Sequence, residues 1–338
     1  MKRLLLFIFL GLLAGLLFTQ FYDCHLDPGA NYFDRAAQKS DAWHDALRRE
    51  SSAPCFVFAG GSEVRMCLDP KLMKDEFGAR VINAGGMAGY GIRCNAALGV
   101  DYLRPGDCLI LSIRSTRLKD DPGMTTSGLK FCWRRLGYRM FSSDLIPLSR
   151  DSLSHIFRGR SGELSMHLAK KIFRPDDIYK YDTNTRLHES GWCENFHKEG
   201  RMHCQFFSPS PHLDISFDEP MLLFLQQLKA ACNARGAQLA IYMAPEALHD
   251  SVRTLSAIIA YQFTAAGIPV LKDPSFGCTD NQNFLADRPN HLTPEGTRHF
   301  SRIFAASLAS PSPFWSLPDL ESFIRARGYS PSGALLAY

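Results

Sequence analysis

Five short strand-like runs, alternating with stretches of helical period, constrain this chain more than any other feature. The runs are Cys55–Ala59, Arg80–Asn83, Asp107–Ile113, Gln238–Met243 and Ile268–Leu271. Helices are predicted over Asp69–Phe77, Tyr90–Leu103, Glu219–Arg235, Ala247–Ala266 and Thr293–Ala309. Short apolar strands set between helices are buried on both faces, which predicts an α/β fold with a parallel sheet and helices on both sides. Ligands bind such sheets beyond the carboxyl ends of the strands. Two glycine clusters, Gly60-Gly61 and Gly85-Gly86, fall at those ends. With 338 residues, 46% of them hydrophobic, the chain can bury one sizeable core and carry an insertion.

The first residues stand apart. Lys2 and Arg3 precede an uncharged apolar run from Leu4 to Phe18, extended to Tyr22. About 20 such residues cross a bilayer as a helix. The cations stay on the cytoplasmic side, so the remainder is expected to face outward. A cleaved signal peptide is the rival, but Gln20, Phe21, Tyr22 and Asp23 offer no small-residue cleavage site. Residues 1–23 are therefore expected to be an anchor through residues 4–22, and 24–52 a stalk or first helix. A domain over 53–310 follows, with a tail at 311–338. Within the domain, 114–216 has no clean period and is expected to be an inserted cap. A net charge of +4 without a dense Lys/Arg run argues against nucleic acid.

Ten cysteines are many for an exported chain. Cys55 and Cys108 lie in apolar runs and are expected to pack as small core residues. Cys193 and Cys204 could pair in an oxidising compartment, although sequence alone fixes no pairing. His188, Cys193, His197, His203 and Cys204 match no standard zinc spacing, so neither metal nor cofactor is expected.

Three segments carry candidate chemistry. Phe58-Ala59-Gly60-Gly61-Ser62-Glu63-Val64 follows the first strand directly. A serine on a tight strand-to-helix turn exposes its hydroxyl at the sheet edge; the alternative is that Ser62 merely caps a helix. Asn83-Ala84-Gly85-Gly86-Met87-Ala88-Gly89 follows the second strand, and free N–H groups in such a loop can hold an oxyanion. It is not the dinucleotide pattern. Asp287-Arg288-Pro289-Asn290-His291-Leu292-Thr293-Pro294-Glu295-Gly296 leads into the last helix. There His291 can carry a proton and Asp287 can hold its ring. Thr293 is expected to cap that helix, with Pro294 at its first position.

Together the three segments resemble the SGNH/GDSL hydrolase family. Gly60-Gly61-Ser62-Glu63 matches its serine turn, Asn83–Gly89 its second block, and Asp287 with His291 its final Asp/His motif. The resemblance covers about residues 54–113 and 217–310. It implies a flavodoxin-like doubly wound parallel sheet, Ser62 as nucleophile, His291 as base and Asp287 as its orienting acid. The backbone of Ser62 and of Gly85, Gly86 or Gly89 would form the oxyanion hole. This chain departs from the family in three ways. The Asp-to-His spacing is one residue longer, and so is the second block. Arg114 and Ser115 stand where the third block carries its asparagine.

An N-terminal anchor with a degenerate third block resembles the members that O-acylate glycans outside a bacterial inner membrane. That implies a glycan acceptor, and a multi-pass membrane acyltransferase as acyl donor. An esterase or deacetylase using the same site, and a non-catalytic glycan-binding scaffold, are the alternatives. Glu63, Arg114, Ser115 and Trp192 are candidate substrate contacts, Trp192 for sugar stacking. Trp133, Arg134, Arg135, Tyr138, Arg139 and Phe141 are expected to lie on a solvated, membrane or sugar-binding face.

Overall fold

A computed structural model describes residues 28–113, 126–136, 145, 185–190, 192–195, 219–244, 246–247, 250–273, 275–276, 278–279 and 291–332, with positions 10, 11, 14 and 15. In chain order the elements are α1 (Pro28–Glu50), β1 (Phe56–Gly60), α2 (Ser62–Cys67), α3 (Pro70–Phe77), β2 (Val81–Gly85), α4 (Ile92–Asp101) and β3 (Cys108–Ile113). Within the insertion lie α5 (Thr126–Leu136), β4 (Thr185–Leu187) and β5 (Cys193–Asn195). Then come α6 (Glu219–Asn233), β6 (Gln238–Met243), β7 (Glu246–Ala247), α7 (Asp250–Ala265), β8 (Cys278–Thr279), α8 (Pro294–Ala309) and α9 (Leu317–Arg325).

The main sheet has the order β2-β1-β3-β6, every neighbouring pair parallel. β1 lies between β2 and β3, so the chain leaves it in one direction and later returns on its other side. Right-handed crossovers then put successive helices on opposite faces. Alternation along β1 agrees: the Phe58 ring packs toward Phe304 of α8, with centroids 6.3 Å apart. The next residue, Ala59, meets α4, where a Cβ built on Gly99 would lie 2.6 Å from the Ala59 Cβ. Both faces are covered, and Val57, Phe58, Ala59, Leu109, Ile110, Leu111 and Ile241 have no exposed surface. Each fully buried large side chain of this kind contributes about 1.5–3 kcal/mol.

The expected fifth strand, Ile268–Leu271, is reduced to a parallel bridge between Ile241 and Val270. Pro269 has no N–H to add to a ladder. The tail closes this edge. Leu271 bridges Phe314 in antiparallel sense, and Trp315 N–H donates to Val270 O at 2.9 Å. Leu320 and Ile324 of α9 are fully buried. Within the expected tail, the stretch from Phe314 to the end of α9 packs on this edge, with Leu320 and Ile324 in the core.

α1 is a helix packed on the domain, not a free stalk. Ser40 Oγ donates to Asn83 O at 2.7 Å and Trp43 Nε1 to Val81 O at 2.9 Å. Its Asp34 and Asp41 receive Arg134 at 3.3 Å and Arg135 at 2.7 Å from α5. These two arginines, expected on a solvated, membrane or sugar-binding face, make ion pairs within the fold. No helix among the described residues is long and apolar enough to cross a membrane. The apolar run 4–22 lies outside them, apart from positions 10, 11, 14 and 15.

Cys55 and Cys108 are buried free thiols in the core, as expected. Burial raises both, Cys108 to about 12. A disulfide joins Cys94 of α4 to Cys132 of α5, with Cα atoms 6.3 Å apart and a sequence separation of 38. Cys204, which the sequence allows to pair with Cys193, lies outside the described residues. Closing a loop of that length is worth about 2–4 kcal/mol. Cys94→Ala/Cys132→Ala should therefore lower the thermal midpoint, and dithiothreitol should lower that of the wild type by a similar amount while leaving the variant unchanged. Differential scanning fluorimetry reads both.

Candidate active site

Ser62 and His291 are 229 residues apart in sequence, and their side chains meet, with Ser62 Oγ 2.8 Å from His291 Nε2. Ser62 follows β1 directly and is the first residue of α2. Gly61 is the N-cap and no side chain caps this helix. The serine is therefore not the capping residue, and its hydroxyl faces the imidazole. Gly60 makes the turn possible: a Cβ there would lie 2.5 Å from both Ser112 Cβ and Val64 Cγ2. Gly85 does the same for β2, since its Cβ would lie 2.5 Å from the backbone nitrogen of Arg65.

His291 is 4% exposed and sits just before α8. Thr293 caps α8 by accepting from Gly296 N–H at 3.2 Å, and Pro294 takes its first position, as the sequence predicts. α8 is held against α2 and the start of α3 by side chains. Thr297 Oγ1 donates to Met66 O at 2.9 Å, and Ser301 Oγ accepts Asp69 N–H at 2.9 Å. Two helices linked in this way fix the loops at their starts, and hence the serine–histidine distance.

The second loop is organised by Asn83, which is fully buried. Its Nδ2 donates to Val64 O at 3.0 Å and Leu68 O at 3.2 Å, while its Oδ1 accepts Gly85 N–H at 3.1 Å. Gly86 N–H donates to Gly60 O at 2.8 Å. Gly85 and Gly86 thus have their amides engaged inside the fold, which corrects the expectation that either supplies an oxyanion donor. Gly89 is the exposed glycine of this loop, and a Cβ there would meet nothing within 4 Å. The Ser62 N–H makes no hydrogen bond among those of the described residues.

Two expected substrate contacts point elsewhere. Glu63 is 5% exposed and turned inward, its Oε1 accepting Gly61 N–H at 2.7 Å. Trp192 is 3% exposed. Its ring stacks on His188 with centroids 4.3 Å apart, and Nε1 donates to Met66 O at 3.4 Å. It anchors the β4–β5 hairpin to α2 and is not open to a sugar. Asp287, Arg114 and Ser115 lie outside the described residues, as do Tyr138, Arg139, Phe141, His197 and His203. Among the described residues no three His, Cys, Asp or Glu side chains come together to hold a metal.

Asn83 is a site residue that motif reading passed over as a mere block boundary. Its signal is an amide at the end of an apolar strand, where a buried polar group must find partners. Arg65 is another, 2% exposed, with Nη1 donating to Ser40 Oγ at 2.9 Å and to Asn83 O at 3.2 Å. It ties α1 to α2.

The pair at the sheet edge has the chemistry of an activated nucleophile. With the proton of the neutral ring on Nδ1, Nε2 accepts the serine proton as Oγ attacks. No family model, curated protein or solved structure matches the chain.

Proposed function

We propose that this chain is an outward-facing serine acyl-transfer enzyme of SGNH/GDSL type that O-acylates a glycan. The reading is carried by one observation, the 2.8 Å approach of Ser62 Oγ to His291 Nε2. Three further observations support it. The pair lies at the carboxyl end of β1, beside the point where the strand order reverses, where open parallel sheets bind ligands. The order β2-β1-β3-β6 with its bridge to Val270 is compatible with a flavodoxin-like sheet. The Cys94–Cys132 disulfide suits a compartment outside the cytoplasm, and an anchor through residues 4–22 would hold the domain there.

In the proposed reaction, His291 takes the Ser62 proton as Oγ forms a bond to an acyl carbonyl carbon. The carbonyl oxygen becomes an oxyanion, held by the Ser62 N–H and by the Gly89 end of the second loop. Collapse expels the donor's alcohol or thiol, which takes the proton from His291. An acceptor hydroxyl then gives its proton to His291 and attacks the Ser62 ester, releasing the acylated acceptor and restoring the serine. Asp287, on the segment before His291, would hold the ring's other nitrogen.

Water in place of the hydroxyl would make the same site an esterase. Mass spectrometry of the surface glycan from cells lacking the chain separates the two. Glycan acyl groups should disappear, and should return with the wild-type chain but not with Ser62→Ala. Extra acyl groups in the deletion strain would mark a deacetylase, and restoration by Ser62→Ala would mark a scaffold.

A further inference from the structure

Beneath the nucleophile turn lies a polar group that the reaction does not use. Glu63 Oε1 holds Gly61 N–H at 2.7 Å, but Oε2 is buried with no hydrogen-bond partner. Ser112 Oγ and Tyr242 Oη are also buried without one. The three belong together. Ser112 of β3 and Tyr242 of β6 are register partners in the sheet. A Cβ on Gly60 would lie 2.5 Å from Ser112 Cβ and 3.0 Å from Glu63 Oε1, so both side chains pack over the same glycine. Tyr242 shares this side of the sheet with Phe58, their ring centroids 5.4 Å apart. Burial, with smaller contributions from Cys67 and Glu63 and against an opposing one from the neighbouring Ser112 hydroxyl, raises the Tyr242 phenol well above its ordinary pKa, so it stays a donor. Three buried polar atoms gathered at one strand end, two of them hydroxyls free to rotate, are complementary to one another.

We propose that Glu63, Ser112 and Tyr242 form one buried polar brace, and that Glu63 is a positioning residue setting how Ser62 meets His291. One carboxylate oxygen fixes the N-cap amide immediately before the serine. The hydroxyls of Ser112 and Tyr242 are the donors that the brace assigns from the sheet to the other oxygen, which has no hydrogen-bond partner in the structure. The Ser62 turn is thereby referenced to β3 and β6 as well as to its own strand. Near-attack geometry is sensitive to displacements of about 1 Å, so loosening this turn should slow the nucleophile more than it unfolds the domain. The proposal rests on the serine–histidine reading for its catalytic consequence, but not for its geometry.

The experiment uses the full chain in detergent, with labelling rates for a fluorophosphonate probe normalised to folded protein. Glu63→Ala should label at least tenfold more slowly than wild type. Glu63→Gln keeps an acceptor for Gly61 N–H and should stay within about threefold. Ser112→Ala and Tyr242→Phe, which each remove one hydroxyl, should slow labelling by several-fold. These two decide the matter if Glu63→Ala does not fold. In ¹⁵N-histidine-labelled protein, the His291 Nε2 resonance, assigned by its response to Ser62→Ala, should move in Glu63→Ala but not in Glu63→Gln. Wild-type labelling rates in Glu63→Ala, or in both hydroxyl variants, would overturn the brace. So would a His291 resonance indifferent to Glu63→Ala. If the wild type never labels while the resonance still responds, the acyl-transfer reading fails and the brace stands.

Discussion

Ser62→Ala and His291→Ala are each expected to lower turnover of a simple activated ester by about 10⁴-fold or more, with the folded fraction unchanged. In the proposed reaction the serine supplies the atom that becomes acylated, and without the imidazole its hydroxyl is a poor nucleophile. Because the proposed reaction uses the two side chains as one unit across a single 2.8 Å contact, their losses should not add. The Ser62→Ala/His291→Ala double variant should be no slower than either single one. Steady-state hydrolysis of p-nitrophenyl acetate by the full chain measures all three. Independent, multiplying losses would mean that the contact has no part in the reaction.

The largest stability loss is expected at Asp107, far from the serine. Its carboxylate is fully buried and takes three donors. Cys55 N–H reaches Oδ1 at 2.8 Å, Arg104 N–H reaches Oδ2 at 2.8 Å, and Arg48 Nη2 of α1 completes an ion pair. Asp107→Ala leaves two amides unsatisfied and the Arg48 cation, whose side chain is 9% exposed, without its counter-charge. Breaking one side of such a pair costs about 3–5 kcal/mol, or roughly 6–10 °C in a domain of this size. Adding Arg48→Met should recover part of that loss, because the stranded charge leaves with it. Chemical denaturation of the four proteins completes the cycle. A double variant less stable than Asp107→Ala would show that Arg48 acts through packing and not through its charge.

Much of the sheet was legible because its strands are buried on both faces, so continuous apolar runs mark them without ambiguity. Glu219, Gln238 and Met243 bound their elements as the sequence predicts, and Thr293 caps α8 through the residue types that favour a cap. The meeting of Ser62 and His291 was legible for a topological reason: parallel strands bring loops from distant parts of the chain to one edge. What escaped depends on long-range partners. Nothing in Arg134 or Arg135 announces that Asp34 and Asp41, about a hundred residues earlier, receive them. The inward turn of Glu63 depends on Gly60 admitting it beside Ser112, and Trp192 is buried by a helix far from it in sequence. α2 has six residues, too few to show a period.

Peptide mapping after fluorophosphonate treatment of the full chain tests the central claim most directly. If Ser62 is the activated nucleophile, the probe's mass appears on the peptide carrying Ser62, and acid or heat denaturation beforehand abolishes it. An adduct confined to another serine, or none under conditions where the chain acylates its acceptor, would contradict the account.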